Sequence, residues 1–258
     1  MGKLNILFMG RKKYAANMLQ WTYEQGQNIV AVVTDSHFHN SPTTIVAKSL
    51  GIPVVSLEEA ELMVKEAKVE VDLIVSYLYW RKIKEPLISK PRLGCINFHP
   101  AILPDWKGMA GYNNAILNKL KEWGATAHYV DATIDTGKII KVFKFSFDYR
   151  NETAQSLELK TQKIQCDLYK SVLTDIFETG TRFENTYSNE GGTYTSYKDM
   201  LELMKIDPEK DDVTLKVHAF WFPPYHGANI VIKGKTYTLV DDLILKQLKA
   251  PDQTANNC

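Results

Sequence analysis

The stretch Leu4-Asn5-Ile6-Leu7-Phe8-Met9-Gly10 is a nearly continuous apolar run closed by glycine. A helical pattern follows it from Tyr14 to Gln25, with Ala15, Met18, Leu19 and Trp21 on its apolar side. The alternation then repeats. Ile29 to Thr34 is a second run, and Ser41-Pro42-Thr43-Thr44 caps a helix with proline in its first turn. Pro53-Val54-Val55-Ser56 reads as a third strand and Glu58 to Lys68 as a helix, before Val71-Asp72-Leu73-Ile74-Val75-Ser76 and Gly94-Cys95-Ile96-Asn97-Phe98 supply two more strands. Continuous apolar strands separated by helices of about ten residues predict a mostly parallel sheet with helices on both faces. The expected fold class is α/β and Rossmann-like.

Further along, Tyr112 to Lys121 reads as a helix, Ala125 to Val130 as a strand and Lys138 to Phe147 as a β run. A long helix is expected from about Thr153 to Glu178, stopped by Gly180. Beyond it come Gly191-Gly192, an amphipathic piece from Lys198 to Met204, and a hairpin pairing Ile230-Val231-Ile232 with Tyr237-Thr238-Leu239-Val240 across a glycine-containing turn. The expected organisation is a catalytic domain over 1–180 and a small α+β extension over 181–258, with Ala250 to Cys258 read as disordered.

Composition sets outer bounds. Of 258 residues, 45% are hydrophobic and 24% charged, an ordinary globular balance. Net charge is +1, so no broad basic footprint for nucleic acid is present. No apolar run approaches the roughly 20 residues that span a bilayer, and the start lacks a signal-peptide h-region. MGKLNI has Ile6 where N-myristoylation wants Ser or Thr. Cys95, Cys166 and Cys258 are scattered and odd in number, which predicts neither a disulfide framework nor a CxxC metal site. A cytoplasmic protein with no metal and no membrane partner is expected.

The chemistry concentrates between Asn97 and Gly137. Ligands of a parallel α/β sheet sit beyond the carboxyl ends of its strands. Asn97-Phe98-His99-Pro100 stands at one such end, and strand alternation puts Asn97 and His99 on one face. A proline- and glycine-rich loop, Ala101 to Gly108, follows, and Asp135-Thr136-Gly137 lies further on. An amide, an imidazole and a carboxylate suit acyl transfer. On spacing alone a structural histidine and an ordinary Asp-Thr-Gly turn remain open.

Asn97-Phe98-His99-Pro100-Ala101-Ile102-Leu103-Pro104, then Gly108, Gly124-Ala125-Thr126 and Asp135-Thr136-Gly137-Lys138-Ile139-Ile140 together resemble the signature of the formyltransferases that use 10-formyltetrahydrofolate. The likeness follows element order over roughly 4–180 and is sharp over 94–140. It implies that Asn97, His99 and Asp135 are catalytic. It also explains why Met9-Gly10-Arg11-Lys12-Lys13-Tyr14 carries no GxGxxG fingerprint despite the Rossmann-like order. In that family folate is held beside the loop after the fourth strand, here Tyr77-Leu78-Tyr79-Trp80-Arg81-Lys82-Ile83. The resemblance thus implies 10-formyltetrahydrofolate as formyl donor, with Tyr79, Trp80, Arg81, Ile83, Leu103 and Thr133 as its candidate contacts. Tyr79 and Trp80 are also the sort of aromatics that plug a sheet end.

The tail bears on the acceptor. Residues 181–258 hold 9 Lys and Arg against 11 Asp and Glu, poor material for gripping tRNA phosphates. His218-Ala219-Phe220-Trp221-Phe222-Pro223-Pro224-Tyr225-His226-Gly227-Ala228 resembles the segment after the catalytic domain in nucleotide-sugar N-formyltransferases. Its aromatics suit stacking on a nucleobase, although a proline-stiffened strand packing on the domain or on a second subunit is the plain alternative. The expected acceptor is a dTDP-linked amino sugar, a 4-amino-4,6-dideoxyglucose or a 3-amino isomer, used for a surface polysaccharide by a homodimer. Candidate contacts are Lys12, Lys13, Tyr14, Trp106, Lys107, Trp221 and Tyr225; methionyl-tRNA formylation and a non-catalytic folate-binding module are the alternatives.

Overall fold

The apolar runs form strands in the expected order. A computed structural model describes residues 2–35, 38 and 40–249, so the tail read as disordered, 250–258, lies outside the described residues. The elements in chain order are β1 (Asn5–Gly10), α1 (Lys12–Glu24), β2 (Asn28–Val33), α2 (Pro42–Ser49), β3 (Val54–Val55), α3 (Leu57–Lys65), β4 (Leu73–Tyr77) and β5 (Cys95–His99). They continue with β6 (Lys107–Gly108), α4 (Gly111–Leu117), β7 (Glu122–Tyr129), β8 (Ile139–Ser146) and α5 (Ala154–Thr179). The last are β9 (Tyr194–Thr195), α6 (Tyr197–Leu203), α7 (Val213–Phe220), β10 (Asn229–Ile232), β11 (Lys235–Thr238) and α8 (Asp242–Lys249). Ser41 caps α2 as the sequence signals, and Ser56 with Glu59 closes a capping box on α3.

Seven strands form one sheet in the order β3-β2-β1-β4-β5-β7-β8. The pairs β2–β3, β1–β2, β1–β4 and β4–β5 are parallel, whereas β7 runs antiparallel to β5. The fold is α/β and Rossmann-like. From β1 the chain proceeds to one side of the sheet and from β4 to the other, so their carboxyl ends border the crevice where such sheets hold ligands.

Compactness divides the chain into two units of three segments each, 1–99 with 125–143 and 165–190, and 100–124 with 144–164 and 191–258. This differs from a division at residue 180, because segments distant in sequence pack together. In the first unit, Leu7, Met9, Ala31, Val33, Ile74 and Cys95 face Leu57, Ala60 and Val64 of α3. On the other face Tyr77 and Phe98 meet Tyr169 of α5 at ring centroid distances of 5.6 and 4.8 Å. Helices therefore cover both faces.

The second unit has its own core, with Trp123, Ile116, Leu157, Val217, Phe220 and Ile244 among its buried residues. Residues 213–220 form helix α7, capped by Asp212, so the start of the segment His218–Ala228, whose plain alternative is a proline-stiffened strand, is helical. The hairpin is as expected: Ile230 pairs with Tyr237, and Lys233 and Gly234 both have positive φ, as its two-residue turn requires. Among the described residues no helix is long and apolar enough to cross a membrane.

The face packed by α5 includes a polar link between Thr22 and Tyr169. Thr22 donates to the Met18 carbonyl at 2.8 Å, so the Tyr169 hydroxyl donates to Thr22 Oγ1 at 2.6 Å. Burial pushes the Tyr169 hydroxyl above the usual tyrosine range, the Thr22 bond opposing it. A raised folded value means that stability is intact below the unfolded value of about 10 and falls as pH rises beyond it. Tyr169→Phe should cost about 1 kcal/mol in urea unfolding at neutral pH and should lose stability less steeply than wild type above about pH 10.

Candidate active site

β5 ends at His99, and its neighbours place polar groups level with the two residues singled out by the sequence. Ser76 of β4 lies beside Asn97, while His128 of β7 lies opposite Asn97 and Thr126 opposite His99. Directly opposed residues share a face, so Ser76, Asn97 and His128 form a row across three strands. Ser76 Oγ donates to Asn97 Oδ1 at 2.8 Å. Asn97 Nδ2 is 3.1 Å from His128 Nε2, and His128 Nδ1 is 2.7 Å from the Tyr129 carbonyl oxygen.

Asp135 faces this row from the loop between β7 and β8. Its Oδ2 is 3.5 Å from His99 Nδ1, and its Oδ1 is 3.5 Å from His128 Nε2. Both spacings exceed a direct hydrogen bond, so the carboxylate acts on both rings through its charge. His99, at 7% exposure, and His128, at 1%, are buried. Little water screens that charge.

The loop is held in place. Asp135 has a φ of 55°, in the left-handed region that costs a non-glycine residue free energy. Asn189 Nδ2 donates to the Asp135 carbonyl at 2.9 Å and to the Gly137 carbonyl at 2.8 Å. Asp131 accepts from the Thr133 amide at 3.0 Å and from Thr136 Oγ1 at 2.6 Å. A Cβ at Gly137 would stand 1.9 Å from the Tyr129 carbonyl oxygen, so only glycine fits there. The amide of Asn97 can donate to an oxyanion, His99 can move a proton, and Asp135 can orient and charge it.

The candidate folate contacts separate by environment. Tyr79 and Trp80 pack with ring centroids 5.0 Å apart and planes tilted by 53° on the loop after β4, Tyr79 half-buried and Trp80 exposed. Burial pushes the Tyr79 hydroxyl up to about 12. Arg81 binds Glu58 of α3 at 2.9 Å and draws that carboxyl down, second to a backbone hydrogen bond. Ile83 is buried in the core with Leu7 and Ile74. Thr133 is exposed on the Asp135 loop. Lys12, Lys13 and Tyr14 open α1, whose N-cap residue Arg11 offers no side-chain cap. The Arg11 guanidinium lies 5.1 Å from the Trp80 ring centroid and 3.9 Å from Asp35, which joins the loops after β1 and β4 across the crevice.

The other candidates belong to the second unit. Leu103 is buried, and Trp106 packs against that unit's core, its ring 6.3 Å from Trp123. Lys107 is buried and donates to the Gly191 carbonyl at 2.7 Å, which makes it a strut between β6 and the loop before β9. Trp221 caps the end of α7, half-buried, and Tyr225 is exposed beside Phe222 at 5.7 Å. Sequence reasoning missed Ser76, His128 and Asn189. Register across strands, and not spacing along the chain, brings them to the site.

Residues 3–173 match the formyl transferase family, about two thirds of the chain, and the chain belongs to that family. It is 29% identical over 252 residues to methionyl-tRNA formyltransferase of Geobacter metallireducens, covering 93% of this chain and 79% of that protein. The fold is similar to a 4-N formyltransferase from Francisella tularensis at 21% identity and a TM-score of 0.75, over 92% of this chain and 97% of that one. It is also similar to the N-formyltransferase of Helicobacter canadensis, solved with folinic acid and dTDP-3-aminofucose. There the identity is 24% and the TM-score 0.72, over 90% of this chain and 85% of that one.

Asn189→Ala removes two hydrogen bonds to loop carbonyls, worth about 1 kcal/mol each. The variant should unfold about 2 kcal/mol more easily in urea, and kcat should fall with little change in KM, because the loop that positions Asp135 is no longer tied.

Proposed function

We propose that this formyl transferase moves the formyl group of 10-formyltetrahydrofolate to the amine of a nucleotide-linked amino sugar. The observation that carries the transfer chemistry is the set Asn97, His99 and Asp135 at the end of β5, with Asp135 3.5 Å from His99. The donor supplies a formyl group on nitrogen, ready for attack by an amine. Flat aromatic surface on Tyr79 and Trp80, at the crevice bordered by β1 and β4, fits a pterin ring. Arg81, held by Glu58, and Thr133 are the polar groups of the first unit assigned to the same donor.

In this mechanism Asn97 donates an N–H to the formyl oxygen as negative charge builds on it. His99 takes or relays the proton released by the attacking amine, passing it to the folate nitrogen as the bond from that nitrogen to the formyl carbon breaks and tetrahydrofolate leaves. Asp135 holds that imidazole in place and supports its positive charge. Only a neutral amine attacks, so kcat/KM should rise with pH through the neutral range.

For the acceptor, the net negative charge of residues 181–258 argues against a phosphate-rich polynucleotide. In the second unit, exposed Tyr225 and half-buried Trp221 are available for stacking on a base. Lys107, committed to Gly191, is left out of the contact set. Methionyl-tRNA is the second reading, favoured by the name of the relative at 29% identity. A homodimer for surface-polysaccharide synthesis belongs to the sugar reading.

A panel of acceptors with 10-formyltetrahydrofolate decides between them. The expected result is formylation of a dTDP-linked 3- or 4-amino sugar and none of methionyl-tRNA; the reverse pattern overturns the sugar reading. With the active acceptor, Asn97→Ala and His99→Ala should each lower kcat by about 10²-fold or more. Full turnover in folded Asn97→Ala protein would remove the assignment of that residue.

Trp221→Ala should raise KM for the sugar nucleotide by about fivefold to a hundredfold, with KM for the folate unchanged, since stacking is worth roughly 1–3 kcal/mol. An unchanged nucleotide KM would place Trp221 outside the acceptor contacts.

A further inference from the structure

Asn97 is the amide on which oxyanion stabilisation depends, yet an isolated primary amide on a strand turns freely about its last torsion and presents either its oxygen or its nitrogen. Two neighbours remove that freedom. Ser76 donates to Oδ1 at 2.8 Å, and His128 Nε2 stands 3.1 Å from Nδ2. The protonation of His128 follows from its own partners. A carbonyl oxygen only accepts, so Nδ1, 2.7 Å from the Tyr129 oxygen, carries a proton. An amide nitrogen only donates, so Nε2 facing Nδ2 is bare and accepts.

We infer that His128 is a positioning residue: neutral and protonated on Nδ1, it accepts one Asn97 N–H and so leaves the other N–H for the formyl oxygen. The inference rests on the formyl transfer proposed for this site and adds a residue that the sequence did not mark. It also divides labour between the two histidines. Asp135 stands 3.5 Å from a nitrogen of each ring, but a bare Nε2 has no proton to offer its carboxylate, which leaves His99 as the ring whose proton it can face. The titratable groups that surround the His128 ring are Asp135 and His99, the latter with its ring centroid 6.4 Å away. His128 is 1% exposed, with its ring nitrogens turned to Asn97 and the Tyr129 carbonyl.

Two measurements test this on the 258-residue chain. In protein carrying 15N-labelled histidine, the His128 ring is identified by its absence from the His128→Gln spectrum. Its Nδ1 should read as protonated and its Nε2 as bare from pH 6 to 8, whereas a protonated Nε2 overturns the inference. Kinetics with 10-formyltetrahydrofolate and the acceptor that turns over should show His128→Leu losing at least tenfold in kcat, the order expected for a misdirected oxyanion donor, with both KM values nearly unchanged. His128→Gln, whose amide oxygen can accept the same N–H, should recover most of that loss and keep the wild-type pH profile.

Wild-type kcat in His128→Leu, or a glutamine variant no better than leucine, removes the positioning role. A lost ascending pH limb in His128→Gln would make His128 the base, which is a different mechanism. If the wild type formylates no acceptor, the functional reading fails, and the labelled spectrum still judges the state of His128.

Discussion

The antiparallel pairing of β7 with β5, beside the parallel pairing of β4 with β5, is the constraint on which the candidate site depends. A parallel neighbour would enter from the far edge of the sheet, and its chain would leave at the same end as β5. An antiparallel one reverses that, and sets His128 directly opposite Asn97 and Thr126 opposite His99. The pleat makes opposed residues share a face. One register shift would turn His128 to the opposite face and leave the Asn97 amide without its acceptor.

The loop after β7 depends on the same strand. Tyr129, its last residue, accepts from His128 Nδ1 through its carbonyl, and that oxygen also lies where a Cβ at Gly137 would fall. A single backbone group therefore bears on both the state of the second histidine and the course of the loop that carries Asp135. Asn189 fixes the other side of that loop by binding two of its carbonyls. Asp135, in a left-handed conformation, sits in a loop held by hydrogen bonds to its backbone, which is how a strained residue persists in a fold.

The second unit shows how a second core can be made from pieces scattered along the chain. Trp123, Leu157 and Phe220 come from three different segments, and they meet because each is apolar and set on an element with one face to bury. Its aromatic segment is neither all strand nor all loop: α7 runs to Phe220, Trp221 caps it, and the prolines follow. Lys107, a candidate ligand contact, is buried and hydrogen-bonded inside this unit. A buried ammonium needs an acceptor close by, and Gly191, whose neighbour Gly192 also has positive φ, supplies it.

The sequence by itself determined the alternating strands and helices of the first hundred residues, the long helix closed by Gly180 and the hairpin turn at Lys233-Gly234, while Asn97, His99 and Asp135 were singled out by resemblance to a known signature. The elements are read from local signals: apolar runs, caps and glycines. It gave no sign of Ser76, His128 or Asn189, nor of helix α7 or of a chain that divides into interleaved units. Those depend on which strand lies beside which, in what direction and at what register. Such choices come from the burial of whole faces at once, and no short stretch of residues records them.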